Sequence, residues 1–160
     1  MSTTPSLEDP GSLLGTWQLT RTIDDRLLGE QSRVEGTLEL TSVSADRIRW
    51  QEQGRWLRTV GVVEVHRVLW LVRDVSTGGW WVHFEDDREF HPWTPGQAVV
   101  HPCGADTYAG VVEGTPQRWT VRWDVVGPRK DYAMSTELSA GAARPHPATP
   151  GAGSPRRAGS

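Results

Sequence analysis

The chain has 160 residues, with 17 Lys or Arg against 20 Asp or Glu, a formal net charge of −3 and one cysteine. Three of the arginines (Arg144, Arg156, Arg157) lie in an acid-free last stretch of twenty residues, so the body carries fourteen basic against twenty acidic residues, a net of −6. That balance excludes the basic stripe that holds nucleic-acid phosphates or anionic lipid. The lone cysteine excludes an internal disulfide framework, and no run approaches the ~18 apolar residues of a membrane-spanning helix. The N-terminus MSTTPSLEDPGS has no basic region followed by an apolar run, so a cytoplasmic protein without nucleic-acid or membrane partners is expected.

Taken in order, residues 1–11 are polar, carry two prolines and are expected to be disordered. A single helical turn fits Ser6–Leu14 or Thr22–Leu28. From 13 onward the pattern is strands. LLGTWQLTR (13–21) alternates after Gly15, and RVEGTLELT (33–41) puts Val34, Gly36, Leu38 and Leu40 on one face. RIRWQEQ (47–53) points Ile48 and Trp50 one way and charge the other. The run RWLRTVGVVEVHRVLWLVRD (55–74) covers two strands or one bent at Gly61. WWVHFED (80–86), REFHPW (88–93), QAVVHP (97–102), DTYAGVVEG (106–114), RWTVRWDVV (118–126) and DYAMSTEL (131–138) follow. Period-two alternation, β-branched and aromatic enrichment and Gly/Pro/Asp turns are the strand signal. About 8–10 short strands with one polar face close most economically into a single antiparallel β-barrel, over 12–138. Residues 139–160, almost wholly Ala, Gly, Pro, Ser, Thr and Arg, are expected to form a disordered tail.

Gly15-Thr16-Trp17, opening the first strand, resembles the Gly-x-Trp signature of the calycins, the lipocalin-like barrels. The resemblance implies that Trp17 plugs one end of the barrel and that an arginine near the last strand, here Arg129, packs across it. TWQLTRTIDDRLLGEQSRVEGT, FEDDREFH, HPCGADTY and WDVVGPRKDY, in that order, are similar to an uncharacterised bacterial domain-of-unknown-function family with a small lipocalin-like barrel. The chain departs from that pattern at Asp87, where glycine is usual, and at Glu89, where proline is usual. The family implies a fold and supplies no reaction.

Groups able to carry chemistry concentrate between Trp80 and Tyr108, which holds His83, His91, His101, Cys103 and a cluster of carboxylates. Together the three histidines with Cys103 or Glu85 would suit zinc, but the spacing matches no standard metal motif, and no metal or cofactor is assigned. Cys103 is expected simply to pack, and Asp106 to pair with Arg88. The leading expectation is a small, partly aromatic or apolar molecule held inside the barrel. Trp50, Trp70, Trp81 and Trp123 would line its walls, His83, His91, His101 and Tyr108 would make polar contacts, and Arg129 and Lys130 would serve as clamp or closure. The alternative is a cofactor-independent isomerase, cyclase or hydrolase. In it His91 or His101 acts as general acid or base, Asp106 or Asp86 orients it, and Tyr108 donates to a developing oxyanion. A third reading, through likeness to nitrobindin-type barrels, gives one histidine to haem as axial ligand.

Overall fold

The computed structural model describes residues 3–141. Ten strands form one antiparallel sheet: β1 (Gly15–Asp25), β2 (Glu30–Ser44), β3 (Arg47–Arg58), β4 (Gly61–Arg73), β5 (Trp80–Phe84), β6 (Glu89–Pro92), β7 (Val99–Cys103), β8 (Asp106–Thr115), β9 (Arg118–Gly127) and β10 (Lys130–Ala140). The order is β6-β5-β4-β3-β2-β1-β10-β9-β8-β7, so every chain neighbour is a sheet neighbour except β6 and β7, and β1 pairs with β10. The sheet curls into a barrel that is nearly closed. No ladder joins β6 to β7, and side chains fill the seam between them.

The run 55–74 resolves into the end of β3, a turn at residues 59–60, and β4 starting at Gly61. Alternation sets the inner face: Trp17 and Leu19 on β1, Val34, Leu38 and Leu40 on β2, Ile48 and Trp50 on β3, and Leu69 and Leu71 on β4 are all buried. Gly36 and Gly54 face each other across β2 and β3 on this inner side. A Cβ on Gly36 would come within 2.0 Å of the Gln53 carbonyl oxygen, so the two strands can fold sharply here only without side chains. Asp87, at the position where glycine was the expected residue, itself takes the left-handed conformation (φ 72°) in the β5–β6 turn. Aspartate tolerates that region better than most residues. Its carboxylate also bonds Arg47 at 3.1 Å.

One end of the barrel is closed by a four-indole cluster. Trp119 lies edge-on to Trp17, Trp50 and Trp93 with ring centroids 5.7, 5.6 and 5.8 Å away. The N-terminal segment seals the cluster from outside. Asp9 caps a 3₁₀ turn (Pro10–Leu13), Trp17 Nε1 donates to the Leu13 carbonyl at 2.8 Å, and Trp93 Nε1 donates to the Leu7 carbonyl at 2.9 Å. Leu7, Pro10 and Leu13 are buried, so the segment expected to be disordered is part of the core from Leu7 onward. Thr22–Leu28, the other place for a helical turn, is the end of β1 and a turn. Residues 139 and 140 complete β10, Gly141 N–H reaches the Thr16 carbonyl at 3.4 Å, and the rest of the expected disordered tail, 142–160, lies outside the described residues. No helix among the described residues is long and apolar enough to cross a membrane.

Candidate functional site

The opposite end stays open, where Ile23, Trp56 and Met134 stand above the indole cluster. Between them lies a lumenal cavity of about 220 Å³ bounded by β1, β2, β3, β4 and β10. Its walls are apolar, from Leu19, Ile23, Val34, Trp56, Val65 and Met134. Its floor is charged. Glu52, only 5% exposed, accepts from Arg21 Nη2 on both oxygens (3.0 and 3.1 Å), from Arg67 Nη2 at 2.8 Å and from Trp50 Nε1 at 3.0 Å. Arg21 Nε continues the network to Thr136 Oγ1 at 2.8 Å. Burial alone would raise the Glu52 carboxyl, but Arg67 and Arg21 outweigh it and hold it at about 2.

This cluster corrects the assignment of β3, in which all charge was expected to face outward. Glu52 follows Ile48 and Trp50 in phase, Arg21 follows Trp17 and Leu19, and Arg67 precedes Leu69 and Leu71 in phase. The alternation that marks the inner wall therefore also marks these three, and period-two counting carried two residues further would have found them.

Next to the charged floor, His91 is buried among aromatic rings. A register shift between β5 and β6 lets both Phe90 and His91 face inward. His91 Nδ1 lies 2.8 Å from the Pro92 carbonyl, an acceptor, so Nδ1 carries a proton and donates it there. Burial lowers its pKa to about 4, the Pro92 bond opposes this, and His101 and Arg67 add to it. A column of rings fills the seam beside it: Phe84 stacks on Phe90 (4.4 Å), Phe90 on Trp123 (5.0 Å), and His101 lies edge-on to Phe90 (5.2 Å). Tyr108 pairs across from His101 on β8. An enclosed cavity of about 20 Å³, room for a single water, lies between Arg67 and His91.

The other expected site residues fall elsewhere. Leu69, Leu71 and Val82 take the inner face, so Trp70, Trp81 and His83 lie on the outer one. There Arg47 covers the Trp70 ring at 4.2 Å and His83 Nδ1 meets Asp87 at 3.2 Å. Trp50 and Trp123 do face inward. The histidines do not all converge: His91 and His101 meet through Phe90, and His83 points away. Among the described residues no group of three His, Cys, Asp or Glu is placed to hold a metal. Asp106 pairs not with Arg88 but with Lys130 (3.4 Å), which also donates to Tyr108 Oη at 3.2 Å, while Arg88 bonds Asp86 at 2.7 Å. Asp106 therefore orients neither histidine, and the acid–base constellation is not assembled around it. Cys103, expected to pack, is exposed at the β7–β8 turn. Arg129 is exposed in the β9–β10 turn, at the open end, because β10 runs toward Trp17 and pairs Ala140 with it; Arg129 cannot reach that indole. The cavity that His91 itself lines, about 20 Å³, is far too small for haem.

A family described as a family of unknown function (DUF6314) matches residues 13–140. No curated protein matches the chain. Among solved structures, an S-type phycobiliprotein lyase, CPES, from Guillardia theta superposes with a TM-score of 0.55 at 14% identity, covering 84% of this chain and 91% of that one. A redesigned β-barrel, mFAP0, bound to DFHBI, gives 0.45 at 16% identity over 81% of this chain and 99% of that one. A de novo designed fluorescence-activating β-barrel gives 0.46 at 14% identity over 84% of this chain and 98% of that one. At these identities the lyase likeness shows the barrel fold alone.

Proposed function

The chain belongs to the DUF6314 family of unknown function, and we propose that it is a small-molecule-binding barrel whose ligand enters the open end and rests in the lumen above Glu52. One observation carries this reading: a cavity of about 220 Å³ with apolar walls, an aromatic rim at Trp56 and a few convergent polar groups at its floor. That division of labour, apolar surface for affinity and few polar groups for orientation, is the general form of a ligand pocket. The volume lies below the ~300–1,000 Å³ of sites for drug-sized molecules, so the ligand is a small metabolite.

Native mass spectrometry of freshly purified protein, before and after denaturation, tests the proposal together with a thermal-shift screen of small metabolites. Bound mass lost on denaturation, or a compound that raises Tm, is expected, and Met134→Trp, which fills the lumen, should abolish either. If no compound binds, or if binding survives Met134→Trp in a folded variant, the lumen is not the site.

A further inference from the structure

Resting on the reading of the lumen as a ligand site, we propose that the ligand is a small monocarboxylate, its acid group held by Arg67 with Arg21 behind it and its apolar body against Trp56 and Met134. The argument is one of charge. The floor brings together two guanidinium groups and one carboxylate in a single hydrogen-bonded cluster. Glu52 is the one carboxylate among the residues lining the cavity, so the cluster of Arg21, Arg67 and Glu52 holds one excess positive charge between apolar walls. Arg21 is the buried partner of Glu52, so the excess charge rests on the more exposed Arg67 at an apolar cavity, where a ligand of one negative charge is its complement.

Geometry selects Arg67 over Arg21 as the contact. The Arg21 side chain is 11% exposed and spends Nε and Nη2 on Thr136 and Glu52. The Arg67 side chain is 36% exposed and spends only Nη2 on Glu52; its Nε is buried and has no hydrogen-bond partner among the described residues, which leaves Nη1 as the group that can meet a ligand. A guanidinium with Nη1 uncommitted can donate a charge-assisted hydrogen bond to a carboxylate oxygen, which a neutral amide of the same shape accepts less strongly. Glu52 then acts as the group that fixes the guanidinium plane, and Trp50 fixes Glu52 in turn. Trp56, whose indole N–H is already satisfied by Ser32 Oγ at 2.9 Å, offers only its ring to the ligand, which favours an aromatic or branched apolar body.

The test is isothermal titration calorimetry on the full chain with a series of phenylalkanoates, phenylacetate to phenylhexanoate, each paired with its neutral amide of the same shape. The acid of at least one pair is expected to bind about tenfold or more tighter than its amide, the scale of one charge-assisted hydrogen-bonding contact. Arg67→Gln should erase that preference and leave the amide's affinity nearly unchanged. Independently of any variant, adding the acid to the ¹⁵N-labelled wild type should shift the Nε–Hε resonances of Arg67 and Arg21 more than those of the surface arginines. Acid and amide binding equally would overturn the monocarboxylate assignment and leave the lumen reading standing. An acid preference that persists in Arg67→Gln, or resonance shifts confined to surface arginines, would also overturn it. If neither member of any pair binds, the monocarboxylate assignment falls, and the lumen reading is decided separately by the metabolite screen and Met134→Trp.

Discussion

Gly110 of β8 lies directly beneath the indole of Trp123 on β9: a Cβ built on Gly110 would come within 2.5 Å of the ring. The missing side chain is what lets Trp123 lie against the wall and stack on Phe90, so one glycine sets the position of the aromatic column beside His91. Gly110→Ala is expected to push the indole off the wall at a cost of about 1–3 kcal/mol, the usual penalty for overpacking a filled core. Near-UV circular dichroism and urea denaturation read the two consequences, and an unchanged aromatic spectrum would contradict this account.

Removing Glu52 should be expensive for a different reason. Glu52→Ala leaves Arg21 buried without a counter-charge, and breaking one partner of a buried pair costs about 3–5 kcal/mol. Double replacement, Arg21→Met with Glu52→Leu, removes the buried pair, leaves only the more exposed Arg67 charged, and should recover part of that loss. A double-mutant cycle by urea denaturation checks this, and additive single costs would show that the pair is not coupled.

Acid should destabilise the fold in two steps. The unfolded His91 takes up a proton near 6.5, the native one only near 4, so as pH falls across that interval the unfolded state gains protons first and up to about 3 kcal/mol is lost. Glu52, held at about 2 in the fold against 4.5 otherwise, contributes stability that is fully present above 4.5 and is lost, again by about 3 kcal/mol, as pH falls toward 2. Tm measured against pH for wild type and His91→Gln separates the steps. The variant should flatten the first and keep the second, whereas parallel curves between 6.5 and 4 would acquit His91.

Trp93→Phe removes the indole N–H that holds the Leu7 carbonyl. The expected loss is about 1 kcal/mol of stability, together with faster proteolysis before Pro10, because this bond ties the N-terminal seal to the barrel end. Limited digestion at equal temperature offsets from Tm distinguishes a loosened seal from a general loss of stability.

Asp87→Gly should hold or slightly raise Tm, and Asp87→Val should lower it by about 1 kcal/mol or more in stability, since φ 72° is free for glycine and strained for a β-branched residue. Thermal melts of the two variants side by side decide it.

The barrel was legible because alternation, Gly/Pro turns and chain length all pointed the same way, down to Val34, Leu38 and Leu40 on one face. The charged floor was not, because Glu52, Arg21 and Arg67 look like ordinary surface charge until their phase with Trp50, Leu19 and Leu69 is counted through. Trp70, Trp81 and His83 were misplaced for the complementary reason. In LWL and WWVHF every residue is large or apolar, so composition cannot say which alternate set turns inward, and only pairing of β4 with β5 settles it. The destination of Asp106 depends on Lys130, twenty-four positions away across two turns, which no local pattern encodes.

The seam between β6 and β7 has a mechanical consequence. Everywhere else the circumference is fixed by backbone ladders, but between β6 and β7 no ladder forms and rings lean on one another, Phe84, Phe90, His101 and Trp123, with the connection tied to β8 by Gly96 N–H on the Val112 carbonyl (2.7 Å). Sliding aromatic faces apart by about an ångström breaks no backbone hydrogen bond, so the wall can widen at this one line at small cost, like a split collar rather than a ring. Amides bordering the slit should accordingly exchange with deuterium faster than those of β1 and β2, where both sides are laddered. Any give in the barrel wall is thus concentrated at the β6–β7 line, on the side away from the laddered β1 and β2.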